Sequence, residues 1–118
     1  MKKDQARIQD IVDSIKKIER YASLGRAEFE KNELIQIWII HYLQIIGEAS
    51  RKISGELRNH TPEIPWQEII AMRNILVHEY SGIDVDEVWS AVETDLPVLK
   101  EKIEKISLHP KNKKGKSG

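Results

Sequence analysis

Residues 34–46 read LIQIWIIHYLQII, and no surface of a helix built from them is polar enough to face water. At about 100° per residue, Leu34, Ile35, Ile37, Trp38, Ile39, Ile40, Tyr42, Leu43, Ile45 and Ile46 spread around the whole circumference. A helix greasy on all sides must be covered on more than one side. The stretch is interrupted by Gln36, His41 and Gln44, and it falls short of the roughly 20 apolar residues that span a bilayer. It therefore belongs inside a packed protein, and no contact with a membrane is expected.

A chain of 118 residues suits one domain. The rest of it is helical in pattern. Ile8, Ile11, Val12, Ile15 and Ile18 recur at steps of three and four, which predicts a first helix over about residues 4–22, with Asp4 as cap and Gly25 as stop. The greasy stretch sits in a second helix expected over about 26–57. Pro62 and Pro65 in HTPEIPW end it, and Pro65 suits the first turn of a third helix over about 65–80. Asp84 to Glu87, DVDE, resembles a capping box for a fourth helix that reaches about Ser107, with a kink or break at Pro97. There is no strand signal. The expected fold class is all-α, an antiparallel four- or five-helix bundle. So few helices leave the second one partly bare, and a second copy of the chain is the economical cover, so a homodimer is expected. A fully buried central helix in a monomer is the alternative.

Charge narrows the function. Basic and acidic residues balance at 19 each, but the last eleven residues, LHPKNKKGKSG, hold four lysines and no acid. The other 107 carry 15 basic against 19 acidic groups, a formal charge of −4. This excludes a strongly basic nucleic-acid binder, so any contact with nucleic acid is local. No base-reading aromatic array or basic groove is visible. The division expected is a helical domain over 1–107 and a disordered basic tail over 108–118. The absence of cysteine excludes disulfides, thiolate metal sites and cysteine nucleophiles, and it fits a cytoplasmic location. No secretory h-region is present at the N-terminus.

The chemistry concentrates in MRNILVHEYS, residues 72–81. Helical rotation places Arg73 in the middle of the apolar face formed by Trp66, Ile69, Leu76, Val77 and Tyr80. A guanidinium cannot shed its charge, so there it must be paired or must face a ligand. Glu48 is a candidate partner if the second and third helices pack together. Asn74 and His78, four apart, border the same face. Imidazole moves protons near neutrality, and a guanidinium fork matches phosphate oxygens. The pair suffices to cleave a phosphodiester without metal or cofactor. Each residue also has a plainer reading: a surface histidine, a salt-bridged arginine, a helix-end tyrosine.

RNILVHEY is Arg-x4-His-x-Tyr with Asn74 after the arginine, and it closely resembles the motif of the HepT-like toxins, a branch of the HEPN superfamily. LQIIGEASRKIS, residues 43–54, is similar to that family's second-helix element, and the resemblance covers roughly residues 4–107. It implies homodimers whose motifs face each other across a cleft, and metal-independent endoribonuclease activity on RNA through attack by the 2′-hydroxyl. It implies Arg73 and His78 as the catalytic pair, with Asn74 supporting. It further implies a toxin–antitoxin system with an MNT-type nucleotidyltransferase antitoxin that silences the toxin by attaching AMP to Tyr80. The other readings are a non-catalytic helical binding subunit of a nucleotidyltransferase complex and a plain structural helical dimer.

Overall fold

Isoleucines set the first helix. The protein, seen in a computed structural model, opens with α1 (Lys2–Ala22), which buries Ile8, Ile11, Ile15 and Ile18 along one side. The structure describes the backbone of residues 2–75 and 82–117, and the side chains of residues 3–71 and 82–106. Past α1 the chain turns at Gly25, whose φ of 97° suits a residue without Cβ. Gly25 thus serves as N-cap of α2 (Arg26–Lys31) rather than as the residue that stops α1. Phe29 of α2 is fully buried against Trp89, with ring centres 5.2 Å apart. Burying that phenyl contributes about 2–3 kcal/mol.

The single helix expected over 26–57 is three helices: α2, α3 (Glu33–Arg51) and α4 (Gly55–His60). Local hydrogen bonding explains both breaks. Asn32 takes an extended backbone, and its side-chain oxygen accepts from the backbone N–H groups of Leu34 and Ile35 at 3.0 and 3.3 Å. Ser54 caps α4 in the same way, accepting from Leu57 N–H at 3.1 Å. Short polar side chains compete with the helical ladder for backbone donors, and here they end one helix by starting the next.

Asp4 is not the cap of α1, which begins earlier, at Lys2. It is buried, and its carboxylate accepts from the backbone N–H of Ser54 at 2.9 Å and from the Ser54 hydroxyl at 2.6 Å. The acid is a clip between the N-terminal helix and the α3–α4 junction, fifty residues away. Charge-assisted bonds of this kind are stronger than neutral ones.

α5 (Trp66–Ile75) returns along α3. Its start is fixed by Thr61, whose hydroxyl donates to the Leu57 carbonyl at 2.8 Å and accepts from the Trp66 indole N–H at 3.0 Å. Trp66 and Ile69 are buried, as the helical rotation requires. The expected third helix runs beyond Ile75, and residues 76–81 lie outside the described residues. α6 (Val85–Ser90) starts as DVDE predicts, with the Asp84 carboxylate accepting from Glu87 N–H at 3.0 Å. The interruption expected at Pro97 falls just ahead of it, before α7 (Leu96–Ser117) begins. One π-helical turn over Ala91–Asp95 intervenes, and Leu96 N–H donates back to the Ala91 carbonyl. The wider turn re-spaces the ladder where Pro97 has no N–H to give. The expectation of a disordered tail over 108–118 falls on residues whose side chains lie outside the described set.

The result is an all-α bundle with α3 at its centre, α1 along one side, α5 along another, and α7 against α1. Leu99 and Ile103 of α7 complete the core, and Lys100 pairs with Glu19 of α1 at 2.8 Å. Replacing Asp4 by Ala leaves Ser54 without its acceptor and is expected to cost roughly 2 kcal/mol. Thermal melting followed by circular dichroism should show Tm falling by roughly 6–12 °C. A fall of less than about 2 °C would show that the clip holds nothing.

Candidate functional site

The motif helix is positioned before its motif begins. The Thr61–Trp66 bond and the buried Trp66 and Ile69 seat the first turns of α5 on α3. Arg73 and Asn74 fall in the last turn of α5, with their side chains outside the described residues. His78 and Tyr80 lie within 76–81, also outside them. The described part of the site is therefore the helix packing that seats α5.

α3, against which α5 packs, also has an outward face. Ile39, Leu43 and Ile46 point inward and are fully buried. Opposite them, Leu34 is 78% exposed and Ile37 is 53% exposed. The helix greasy on all sides is thus covered on only part of its circumference in one chain. One or two turns further on, the same face becomes polar. His41, Gln44, Ile45 and Glu48 line a wide, open depression. Glu48 forms ion pairs with Arg51 of its own helix at 2.5 Å and with the C-cap residue Lys52 at 3.9 Å. Gly47 and Ala49, the small residues of IGEA, are buried. Small residues there let a neighbouring helix come close.

On the α1 side the surface is aromatic and cationic, which the sequence reading missed. Trp38 stands edge-on to Tyr21, with ring centres 5.2 Å apart, and 5.1 Å from Tyr42. Tyr42 in turn meets the edge of His41 at 4.7 Å. Lys17 lies 6.0 Å from the Tyr42 ring centre and Arg20 5.9 Å from that of Trp38. The Trp38 indole N–H donates to the Lys17 carbonyl at 2.7 Å and so locks the two helices in register. The available signals were the i, i+4 pair Trp38–Tyr42 and the run Lys17-x2-Arg20-Tyr21. They sit on separate helices, and only packing shows that they meet.

At the other end of α5 the surface is acidic. Asp95 is exposed, but desolvation by its neighbours, and then the like charge of Glu68, raise its carboxyl above the ordinary value of 3.8. Among the described residues, no group of three histidines and acids could hold a metal ion, and no helix is long and apolar enough to cross a membrane.

Comparison with known proteins identifies the class that this helical scaffold and motif define. The family model "Ribonuclease HepT-like" matches residues 11–106. The chain is 38% identical over 101 residues to the protein named "Putative RNase MJ1380" of Methanocaldococcus jannaschii, covering 85% of this chain and 93% of the other. It is 39% identical over 100 residues to "Probable ribonuclease HepT" of Thermococcus cleftensis, covering 84% and 91%. A bacterial protein, "Putative RNase TTE0752" of Caldanaerobacter subterraneus, is 32% identical over 89 residues, covering 75% and 80%. No solved structure matches. The protein belongs to the HepT-like ribonuclease family.

The raised Asp95 carboxyl yields a prediction about stability. A carboxyl that binds its proton more readily folded than unfolded opposes folding increasingly as pH rises above its ordinary value, and fully once pH passes its raised pKa. Asp95→Asn should therefore raise Tm slightly at pH 7, with the gain disappearing as pH falls below 3.8, where the acid is protonated in both states. Solvent screening keeps the effect small. A gain that persists unchanged at low pH would show a different cause.

Proposed function

We propose that the protein is a metal-independent endoribonuclease, the toxin of a toxin–antitoxin pair, acting in the cytoplasm as a homodimer. The observation that carries this reading is the family match over 11–106, a span that contains Arg73, Asn74, His78 and Tyr80.

In the proposed reaction the ribose 2′-hydroxyl attacks the adjacent phosphorus. A new P–O bond forms as the bond to the 5′-oxygen breaks, giving a cyclic phosphate and a 5′-hydroxyl. DNA lacks the nucleophile and is not a substrate. His78 takes the proton from the 2′-hydroxyl or returns one to the departing oxygen. Two facing copies of the motif would supply one imidazole for each task. Such proton transfers contribute about 10²–10⁴-fold. Arg73 neutralises charge that grows on the phosphoryl oxygens, and Asn74 supports the pair from the neighbouring helical position. Tyr80 is the residue an MNT-type nucleotidyltransferase antitoxin would modify. An AMP group there places a phosphate beside the cleft, where it repels RNA and competes for Arg73.

The bare Leu34 and Ile37 support the homodimer, because a lone subunit leaves two large apolar side chains in water on the helix that borders α5. Ile37→Glu should convert the dimer to a monomer in light scattering while its melting curve stays cooperative. A dimer that withstands the charge would place the interface elsewhere.

Cleavage of RNA in the presence of a chelator tests the activity. Arg73→Ala and His78→Ala should each lower it by about 10²-fold or more. Tyr80→Phe should cleave nearly as well as the parent yet resist silencing by the nucleotidyltransferase. Cleavage that survives both alanine substitutions would remove the pair from the mechanism. A tight complex with the nucleotidyltransferase and no cleavage of any RNA would instead make the chain a binding subunit.

A further inference from the structure

We infer that the aromatic and cationic surface shared by α1 and α3 is a track for unpaired RNA leading to the motif helix. The inference rests on the ribonuclease reading and adds to it how the strand is held.

The surface is continuous. Tyr21, Trp38, Tyr42 and His41 follow one another at ring-centre spacings of 5.2, 5.1 and 4.7 Å. Tyr21, Trp38 and Tyr42 are each half-buried, so part of every ring reaches solvent from a fixed seat, and His41 is exposed. The bond from the Trp38 indole to the Lys17 carbonyl, at 2.7 Å, holds the central ring rigid. Rigid rings stack on bases of any identity, because every base has a π-face.

Cations run beside the rings. Lys17 and Arg20 lie 6.0 and 5.9 Å from the Tyr42 and Trp38 ring centres, at the outer reach of a cation–π contact, so a phosphate could draw them away at little cost. Neither has a carboxylate partner among the described residues, whereas Lys100 is paired with Glu19 and Lys52 with Glu48. Rings for bases and free cations for phosphates, side by side, are the composition of a single-strand binding surface. In the shallow groove of an RNA duplex the bases stay stacked on one another and cannot use such rings.

The track has a direction. Its last ring, His41, also lines the open depression with Gln44, Ile45 and Glu48, and α3 packs against α5, whose final turn contains Arg73. A strand laid on Trp38 and Tyr42 therefore lies on the same helix that carries α5. This explains how a domain of net negative charge engages a polyanion: the attraction is local to one strip.

The test uses the full chain and a fluorescent 2′-O-methyl oligonucleotide, which has no free 2′-hydroxyl and is not cut. Anisotropy should show binding of the single strand and weaker binding of the same sequence as a duplex. Lys17→Gln/Arg20→Gln should weaken single-strand binding about fivefold or more and lower the salt slope by about 1.4, two phosphate contacts at roughly 0.7 each. Tyr42→Leu should weaken it as well. In cleavage of unmodified RNA both variants should raise KM and leave kcat close to the parent value. The control Lys3→Gln/Lys105→Gln removes the same charge elsewhere and should bind normally. Circular dichroism and light scattering verify that every variant is folded and has the parent's oligomeric state.

Binding unchanged in both variants overturns the track. So does equal weakening in the control, which indicates general charge attraction, or equal affinity for the duplex. Loss of binding together with a changed oligomeric state overturns it too, because the strip is then a contact between copies of the chain. If the parent cleaves RNA but does not bind the oligonucleotide, the track fails and the ribonuclease reading stands. If the strip binds as expected and no RNA is ever cleaved, the track stands and the ribonuclease reading fails.

Discussion

α3 must be covered on two sides at once, and the positions of the other helices follow from that requirement. Ile39, Leu43 and Ile46 are completely withdrawn from water, and truncating one such side chain to alanine typically costs about 2–5 kcal/mol. The isoleucine row of α1 closes one flank and α5 closes another, with α7 packed behind α1. α5 has little freedom once Trp66 and Ile69 are seated and the Trp66 indole is bonded to Thr61. The motif helix therefore takes its place from apolar packing and one hydrogen bond that have no part in its chemistry.

The uncovered part of α3 is what the proposed function draws on. In one chain its outward face passes from the bare Leu34 and Ile37 to the polar depression around His41 and Glu48. The same helix thus offers an apolar patch and, further along, a polar rim. The aromatic strip borders this face on the α1 side. In the proposed reading, assembly and substrate handling share one surface because the helix that most needs covering also packs against α5.

Much of this was legible in the amino-acid order because it depends on local spacing. The isoleucine period of α1, the cap at Asp84 and the turn at HTPEIPW need only near neighbours, and each element formed where its pattern lay. The single long helix over 26–57 did not form, since Asn32 and Ser54 offered the backbone better local bonds than the helix did. The effect of Pro97 was also absorbed, by a π-helical turn. Asp4 shows the limit most clearly. Its position near a helix start suggested a cap, but its partner, Ser54, lies fifty residues away, and no local pattern reveals such a pairing.

The sequence by itself determined the class: an all-α chain whose motif, Arg73 to Tyr80, is a property of linear spacing and places it among the HepT-like ribonucleases. Tertiary structure alone decided which parts of α3 remain bare and which side chains of different helices become neighbours. Lys17, Arg20 and Tyr21 are ordinary residues on one amphipathic helix, as are Trp38 and Tyr42 on another. They become one surface only when burial of the isoleucines brings α1 against α3, because aromatic and charge contacts act over a few ångströms and depend on distance in space.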